Sequence, residues 1–124
     1  MCRRFGRLGG ALPLANMVVL MVNMDGGARY PNRLLDGGRR MTWFPGSGQR
    51  PNDVLSRRLR GEGGDEVLLL CRAASRASYV CCGRLRLLRW SWEGGREWEW
   101  ALVDFDVAQG HADFAQLMRI FSSS

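Results

Sequence analysis

Residues 78–106 read Ser-Tyr-Val-Cys-Cys-Gly-Arg-Leu-Arg-Leu-Leu-Arg-Trp-Ser-Trp, then Glu93-Gly94-Gly95-Arg96, then Glu-Trp-Glu-Trp-Ala-Leu-Val-Asp-Phe-Asp. Two runs rich in Trp, Leu, Val and Tyr on either side of Gly-Gly predict antiparallel strands. The Gly-Gly pair is typical of a two-residue turn with positive φ at its centre. We expect the rest of the chain to pack around this β-hairpin.

A turn at Gly94 and Gly95 would place Leu87 opposite Leu102 and Trp90 opposite Glu99. This register collects an apolar set on one face of the hairpin, which we expect to be the core side: Tyr79, Cys81, Leu85, Leu87, Trp98, Trp100 and Leu102. The opposite face would carry Arg84, Arg86, Trp90 and Trp92 beside Glu97 and Glu99. Cross-strand charged and aromatic pairs contribute about 0.2 to 1 kcal/mol each, so stabilisation of the sheet alone also explains this second face.

The alternation of apolar residues changes phase after Leu102, because Val103, Phe105 and Val107 follow Trp98 and Trp100 with the opposite parity. A shift of one residue moves every following side chain to the other face of a sheet. The sequence therefore predicts a bulge or a bend near Leu102 and Val103.

The composition indicates one globular domain with a basic surface. The 124 residues are 46% hydrophobic and 24% charged, with a formal net charge of +6 and a pI near 10.1. Such a charge favours acidic partners, above all nucleic acid. All 18 basic residues are Arg, a bias that a GC-rich genome would also produce. Residues 93–124 hold two Arg against six acidic residues, so a basic surface belongs to the earlier part of the chain.

The four cysteines, Cys2, Cys71, Cys81 and Cys82, show no Cys-x-x-Cys spacing, and His111 is the one histidine. Because zinc ligands cluster at characteristic spacings and adjacent strand residues face opposite ways, we expect no metal and no other cofactor. Buried reduced thiols are the expected state, which indicates a reducing compartment such as the cytoplasm.

Residues 1–40 form a basic start, an apolar run at 11–22 and a Gly-rich, Arg-rich linker. The run is too short to span a membrane, so we expect no membrane partner. A secretory signal, an organelle transit peptide, a peripheral strand at 17–22 and a loosely ordered extension all fit this segment. We place the globular domain at residues 41–121, after this basic extension, and a short tail at 122–124.

Within the domain, residues 42–44 predict a short strand, and residues 53–60 predict a short helix capped by Asn52, with Arg57, Arg58 and Arg60 near its end. The apolar residues 66–72 predict a strand in the middle of the sheet. Residues 112–121 place Phe114, Leu117, Met118 and Phe121 on one helical stripe. The expected fold is α+β: a curved antiparallel sheet of four to five strands, or a small partly open β-barrel, with one short helix after the first strand and a C-terminal helix.

Three short motifs within residues 42–107 carry a resemblance: Trp43-Phe44 with Gly46-Ser47-Gly48, then residues 67–72, then Tyr79-Val80-Cys81-Cys82-Gly83-Arg84-Leu85. They resemble a small accessory domain of uncharacterised function appended to bacterial superfamily 2 helicases and HNH-type restriction nucleases. Leu70 and Cys71 replace the Leu-Phe of that family's strand, and no helicase or nuclease motif is present. The resemblance implies a compact β-rich module that acts near nucleic acid.

The sequence favours a non-catalytic module that binds DNA or RNA, in which tryptophans stack on bases while arginines neutralise phosphates. The candidate binding residues are Arg50, Arg57, Arg58, Arg84, Arg86, Trp90 and Trp92. The alternative is a module for protein interaction or assembly, with exposed tryptophans as anchors. An enzyme that uses Asp104, Asp106 or His111 is the least favoured class, because no catalytic spacing pairs these residues. We expect a cytoplasmic protein, or an organellar one if residues 1–40 are a transit peptide.

Overall fold

The computed structural model describes residues 10–24, 32–46, 48–74, 76–93 and 96–121. These residues form seven strands and three α-helices. The strands are β1 (Ala11–Pro13), β2 (Met17–Asn23), β3 (Arg33–Leu35), β4 (Arg40–Trp43), β5 (Glu66–Arg72), β6 (Val80–Arg89) and β7 (Trp98–Leu102). The helices are α1 (Val54–Leu59), α2 (Phe105–Ala108) and α3 (Ala112–Phe121).

All seven strands belong to one curled sheet, a half-barrel, in the order β1-β2-β5-β6-β7-β4-β3. Strands β5, β6 and β7 form a central antiparallel meander, and the hairpins β1–β2 and β3–β4 extend it on opposite sides. The pair β2–β5 is parallel, whereas the other neighbouring strands are antiparallel. The predicted α+β class is confirmed, with the short helix after β4 and the helix at 112–121. The sheet has more strands than the expected four to five.

Three strands lie N-terminal to residue 41, where we expected the globular domain to begin. Strand β2 pairs with β5 so that Val18 lies beside Val67 and Leu20 beside Leu69. All four side chains are buried in the main core. The sheet and its core therefore include residues 11–23, and β2 is an interior strand rather than a loose extension. Residues 1–9 and 25–31 lie outside the described residues, so a targeting role for residues 1–40 stays a prediction.

The core fills the concave side of the sheet, which we call the inner face. Alternate residues of β7 are buried on this face, and Trp98 and Trp100 are less than 2% exposed. Helix α3 covers the inner face with Phe114, Leu117 and Met118, as its apolar stripe predicts. Helix α1 adds a second cover whose buried residues include Leu55 and Leu59.

The predicted hairpin forms, but its predicted register is wrong. Leu85, not Leu87, lies opposite Leu102, and Leu87 lies opposite Trp100. The shift is two residues, so Leu85 and Leu87 keep the inner face that we expected. The register then shifts again before Arg89, which pairs with Glu99. Gly94 and Gly95, the predicted turn, lie outside the described residues.

A second register shift lies between β5 and β6. Leu69 pairs with Gly83 and Leu70 with Cys81, so Cys82 is an extra residue in β6. This bulge directs Cys82 into the core and leaves Cys81 exposed, the reverse of the predicted placement. Gly83 has φ of 87°, a conformation that glycine adopts without strain.

The predicted bend after Leu102 is present. Strand β7 ends at Leu102, Val103 and Asp104 form a turn, and α2 begins at Phe105. The change of phase in the sequence therefore marks the end of the strand. The buried residue Phe105 belongs to a helix rather than to a strand. In the described part of the chain, no helix has both the length and the apolar character needed to cross a membrane.

Replacing Gly83 with Ala should lower the free energy of unfolding by about 1 to 3 kcal/mol, because an L-residue is strained at this φ. The new Cβ would also lie 2.8 Å from Cβ and Oδ2 of Asp104. Urea unfolding measures the change. Gly61→Ala is the matched control, because Gly61 has φ of 92° and nothing within 4 Å of its added Cβ. A smaller loss for Gly61→Ala isolates the Asp104 contact, and equal losses would contradict that part of the explanation.

Candidate nucleic-acid interface

All five tryptophans of the chain form one continuous group, the Trp cluster. The ring of Trp98 contacts the rings of Trp43, Trp90, Trp92 and Trp100, with centroid separations between 5.5 and 6.2 Å. The indole N–H groups of Trp98 and Trp100 are buried, and neither has a hydrogen-bond acceptor among the described residues. An unsatisfied buried donor costs about 1 to 3 kcal/mol, so apolar burial must supply the stability of this cluster.

Trp90 and Trp92 form the exposed rim of the Trp cluster. Because β6 ends at Arg89, both residues lie beyond the ladder, and their rings fold onto Trp98 on the inner-face side. Trp90 remains 43% exposed, and Trp92 is half-buried. The prediction that these rings share a face with Arg84 and Arg86 is therefore wrong. The register shift before Arg89 accounts for the change of side.

Two arginines stack on this rim. The guanidinium carbon of Arg60 lies 4.5 Å from the centre of the Trp90 ring, and that of Arg96 lies 4.7 Å from the centre of the Trp92 ring. Arg60 also donates to the carbonyl of Pro51 at 2.7 Å, and Arg96 donates to the carbonyls of Gly46 and Gln49. These bonds attach α1 and its preceding loop to the Trp cluster.

Arg57 on α1 and Arg50 in the loop before α1 add two exposed arginines to this region. Both side chains are exposed, and neither has an ion pair among the described residues. Residues three apart on a helix have Cβ atoms about 5 to 6 Å apart, so Arg57 lies beside Arg60. We call the combined set the Arg–Trp surface: Arg50, Arg57, Arg60, Trp90, Trp92 and Arg96.

Asp53, not the predicted Asn52, caps α1. Its Oδ1 accepts from the Ser56 N–H at 2.7 Å, and its Oδ2 accepts from the Arg50 N–H at 2.8 Å. Partial burial opposes ionisation of this carboxyl, but the hydrogen bonds from Arg50 and Ser56 outweigh it and lower the pKa of Asp53. The carboxylate therefore stays charged and is held against the helix end.

Several backbone N–H groups of the loop before α1 are already hydrogen-bonded within the fold. The Gly46 N–H donates to Oε1 of Gln49 at 3.1 Å, and the Gln49 N–H donates to the Gly46 carbonyl. The buried Gln49 side chain also donates to Oγ of Ser56. Ser47 lies outside the described residues. At this loop, the side chain of Arg50 is exposed and available to an anion.

Arg58, a predicted binding residue, is engaged inside the fold. Its guanidinium pairs with both carboxylate oxygens of Asp65 at 2.9 and 3.0 Å. It also donates to the carbonyls of Leu14 and Met17, which join β1 to β2. The hydrogen bonds with Asp65 raise the pKa of Arg58 and lower that of Asp65. Arg58 therefore fastens α1 to the first hairpin.

Arg84 and Arg86 lie on the opposite, outer face of the sheet. Arg84 is bound by Asp104, whose two oxygens accept from its Nε and Nη2 at 3.0 and 2.7 Å. Arg86 is exposed, with no ion pair in the described ranges. Other outer-face arginines are paired as well, since Arg89 contacts Glu97 and Glu99. The outer face is therefore largely charge-balanced.

Arg60 and Arg96 were absent from the predicted site. Their stacking partners are Trp90 and Trp92. Arg60 is 30 residues distant from Trp90 along the sequence, so no local spacing links them. Arg96 and Trp92 lie on either side of the hairpin turn and close to it. The sequence therefore allows a contact between these two side chains across the turn.

The three titratable residues considered for catalysis are not assembled into one site. Asp104 and His111 line the same pocket, but the carboxylate of Asp104 is already paired with the guanidinium of Arg84. Asp106 points away to an exposed contact with Arg39 at 3.4 Å. Within the described ranges, no three His, Cys, Asp or Glu side chains are close enough to hold a metal ion.

Searches against protein-family models, curated proteins and solved structures found no match to this chain.

The ion pair between Arg84 and Asp104 predicts a pH-dependent contribution to stability. Hydrogen bonds from the Arg84 side chain and backbone lower the pKa of Asp104 to about 2, below the value near 3.9 of an unfolded Asp. Stability from this pair is complete above the unfolded pKa and is lost as pH falls from about 4 toward 2. Asp104→Asn should therefore lower stability at neutral pH.

Urea unfolding of both proteins across this range tests the linkage. The difference between wild type and Asp104→Asn should shrink as pH falls from about 4 toward 2. Asp106→Asn is the matched control, since the Asp106 side chain is 79% exposed in its ion pair with Arg39. A difference that stays constant down to the lowest pH would refute the role of the ion pair.

Proposed function

We propose that this protein is a non-catalytic nucleic-acid-binding module and that the Arg–Trp surface is its contact site. The observation that supports the proposal is Trp90, a 43% exposed tryptophan whose ring is fixed by contacts with Arg60 and Trp98. A ring fixed by its neighbours loses little conformational freedom when a base stacks on its exposed part. Stacking on an aromatic side chain is tolerant of sequence because every base has a π-face.

The charges around Trp90 support the same proposal. Arg50 and Arg57 are exposed and have no ion pair among the described residues, so their charges are available to phosphate oxygens. Two nearby carboxylates offset part of the charge, because Glu62 contacts Arg60 at 3.4 Å and Asp53 caps α1. The proposed surface is thus moderately basic, and its affinity depends on stacking as well as on charge.

The proposal revises the set of contact residues. It keeps Arg50, Arg57, Trp90 and Trp92 from the sequence-based set and adds Arg60 and Arg96 as the residues that hold the two tryptophan rings in position. It leaves out Arg58 and Arg84, whose guanidinium groups are held by carboxylates. Arg86 lies across the sheet from the tryptophans. The resemblance to accessory domains of helicases and nucleases agrees with such a module. A titration with DNA and with RNA measures which of the two polymers the module prefers.

Protein interaction is the second candidate function, and Val54 is the observation that favours it. This side chain on α1 is 63% exposed and lies three residues before Arg57. An apolar anchor rimmed by arginine is typical of protein interfaces. Salt separates the two candidates, because phosphate contacts weaken steeply as salt rises whereas an apolar anchor responds little.

Trp90→Ala in the full chain should weaken binding to single-stranded DNA or RNA by about 1 to 3 kcal/mol if one base stacks on the ring. The measurement is a fluorescence-anisotropy titration with labelled single-stranded DNA, duplex DNA and RNA. Urea unfolding shows whether the variant remains folded. A folded Trp90→Ala variant with wild-type affinity for every polymer would refute the proposed stacking site. Wild-type protein that binds no polymer at low salt would refute the function itself.

Arg57→Ala should reduce the slope of log K against log salt concentration by about 1, because one phosphate contact is lost. Titrations between about 50 mM and about 200 mM salt measure the slope. Arg119→Ala is the matched control, since Arg119 is an exposed helical arginine on α3 with no ion pair in the described ranges. Equal slopes for the two variants would show that net charge, rather than the Arg–Trp surface, attracts the polymer.

A further inference from the structure

A groove separates the start of β6 from α2 and α3, away from the Trp cluster. It consists of two adjoining pockets with volumes of about 460 and 390 Å³. Both pockets are lined by Tyr79, Val80 and Asp113, so they form one elongated depression. Each volume lies within the range of about 300 to 1,000 Å³ that is usual for ligand pockets.

The walls of the groove are mainly apolar. Phe114 and Ala108 contribute buried surface to the first pocket, and Leu117 contributes to the second. Val107 at one end is 72% exposed and Ile120 at the other is 58% exposed. Apolar side chains that are open to solvent along an elongated groove favour an extended ligand with more than one apolar group.

The ionisable groups of the groove differ from those of the Arg–Trp surface. No arginine is among the described residues that line either pocket, although the chain has a net charge of +6. Asp104 is already paired with Arg84. Asp113 is exposed, lines both pockets and has no ion pair among the described residues. Its full negative charge exceeds the roughly half positive charge that the N-terminus of α3 contributes.

One basic side chain of the protein itself lies against the aromatic wall of the groove. The guanidinium carbon of Arg72 lies 4.4 Å from the centre of the Tyr79 ring, so one cation already stacks on this wall. We propose that the groove binds an extended peptide segment of a partner protein in which an Arg or Lys side chain alternates with apolar side chains. The basic side chain pairs with Asp113, and the apolar side chains contact Val80, Val107 and Leu117.

Cys81 provides a direct readout of occupancy. Its thiol is exposed and lines the first pocket, whereas Cys71 and Cys82 are buried. Cys2 lies outside the described residues, so the full chain would carry Cys2→Ser to leave Cys81 as the reporter. The rate at which iodoacetamide alkylates Cys81, followed by mass spectrometry, should fall saturably as a peptide fills the groove.

The probe is an end-blocked peptide of alternating Leu and Arg, compared with peptides of the same length that alternate Leu with Glu or Ser with Arg. The Leu/Arg peptide should protect Cys81 at the lowest concentration. Asp113→Asn should weaken its binding about two- to fivefold, as the loss of an exposed ion pair predicts. Asp106→Asn, on α2 and outside both pockets, should leave it unchanged.

The peptides are compared on the wild-type groove, so this comparison does not depend on whether the Asp113→Asn variant folds. Equal protection by the Leu/Arg and Leu/Glu peptides would overturn the assigned charge preference. Failure of the Leu/Arg peptide to protect Cys81 at any soluble concentration would overturn the docking site. Nucleic-acid binding is read out separately through Trp90, so either proposal can fail without the other.

Discussion

The rest of the structure depends on the contacts that the Trp98 ring makes with the other tryptophans. This ring touches the other four tryptophans, two from the strand ladder, namely Trp43 and Trp100, and two from the segment beyond β6. Aromatic pairs of this geometry contribute about 0.5 to 1.5 kcal/mol each beyond the burial of their area. The same ring therefore stabilises the core and holds Trp90 in place at the surface. Structure and candidate interface share one set of contacts.

The fold could be predicted from the sequence where a single element carries its own pattern. The apolar run of β5 and the stripe of α3 appear at the predicted residues, 66–72 and 112–121, because each pattern depends on one segment alone. The three-residue strands β1 and β3 were not predicted from the sequence. A strand at 17–22 was one of several alternatives for the segment that forms β2, because the partner of β2 in the interior of the sheet, β5, lies far along the chain. In the sequence, Val18 belongs to a diffuse apolar run, and its place in the sheet is defined by its pairing with Val67.

The candidate site was less predictable, and two extra residues in β6 explain why. One shift turns Cys82 inward, and the other moves Trp90 and Trp92 away from the face of Arg84 and Arg86. A hairpin register drawn from Gly94 and Gly95 assumes unbroken alternation, so it fails after each shift. The sequence predicted Arg50, Arg57, Trp90 and Trp92 as candidates one by one, whereas the contact of Trp90 with Arg60 depends on the packing of α1 against the hairpin.

The strand order carries a consequence for the order in which the chain folds during synthesis. Strands β2 and β4 leave the ribosome early, yet they pair with β5 and β7, which follow at residues 66–72 and 98–102. Until those residues appear, β2 and β4 have only their hairpin partners β1 and β3. Pairing between distant segments is slow because loop-closure entropy is lost before the contacts form. The nascent N-terminal third thus exposes apolar strand edges, Val18 and Leu20 among their residues, until the meander that completes the sheet has emerged.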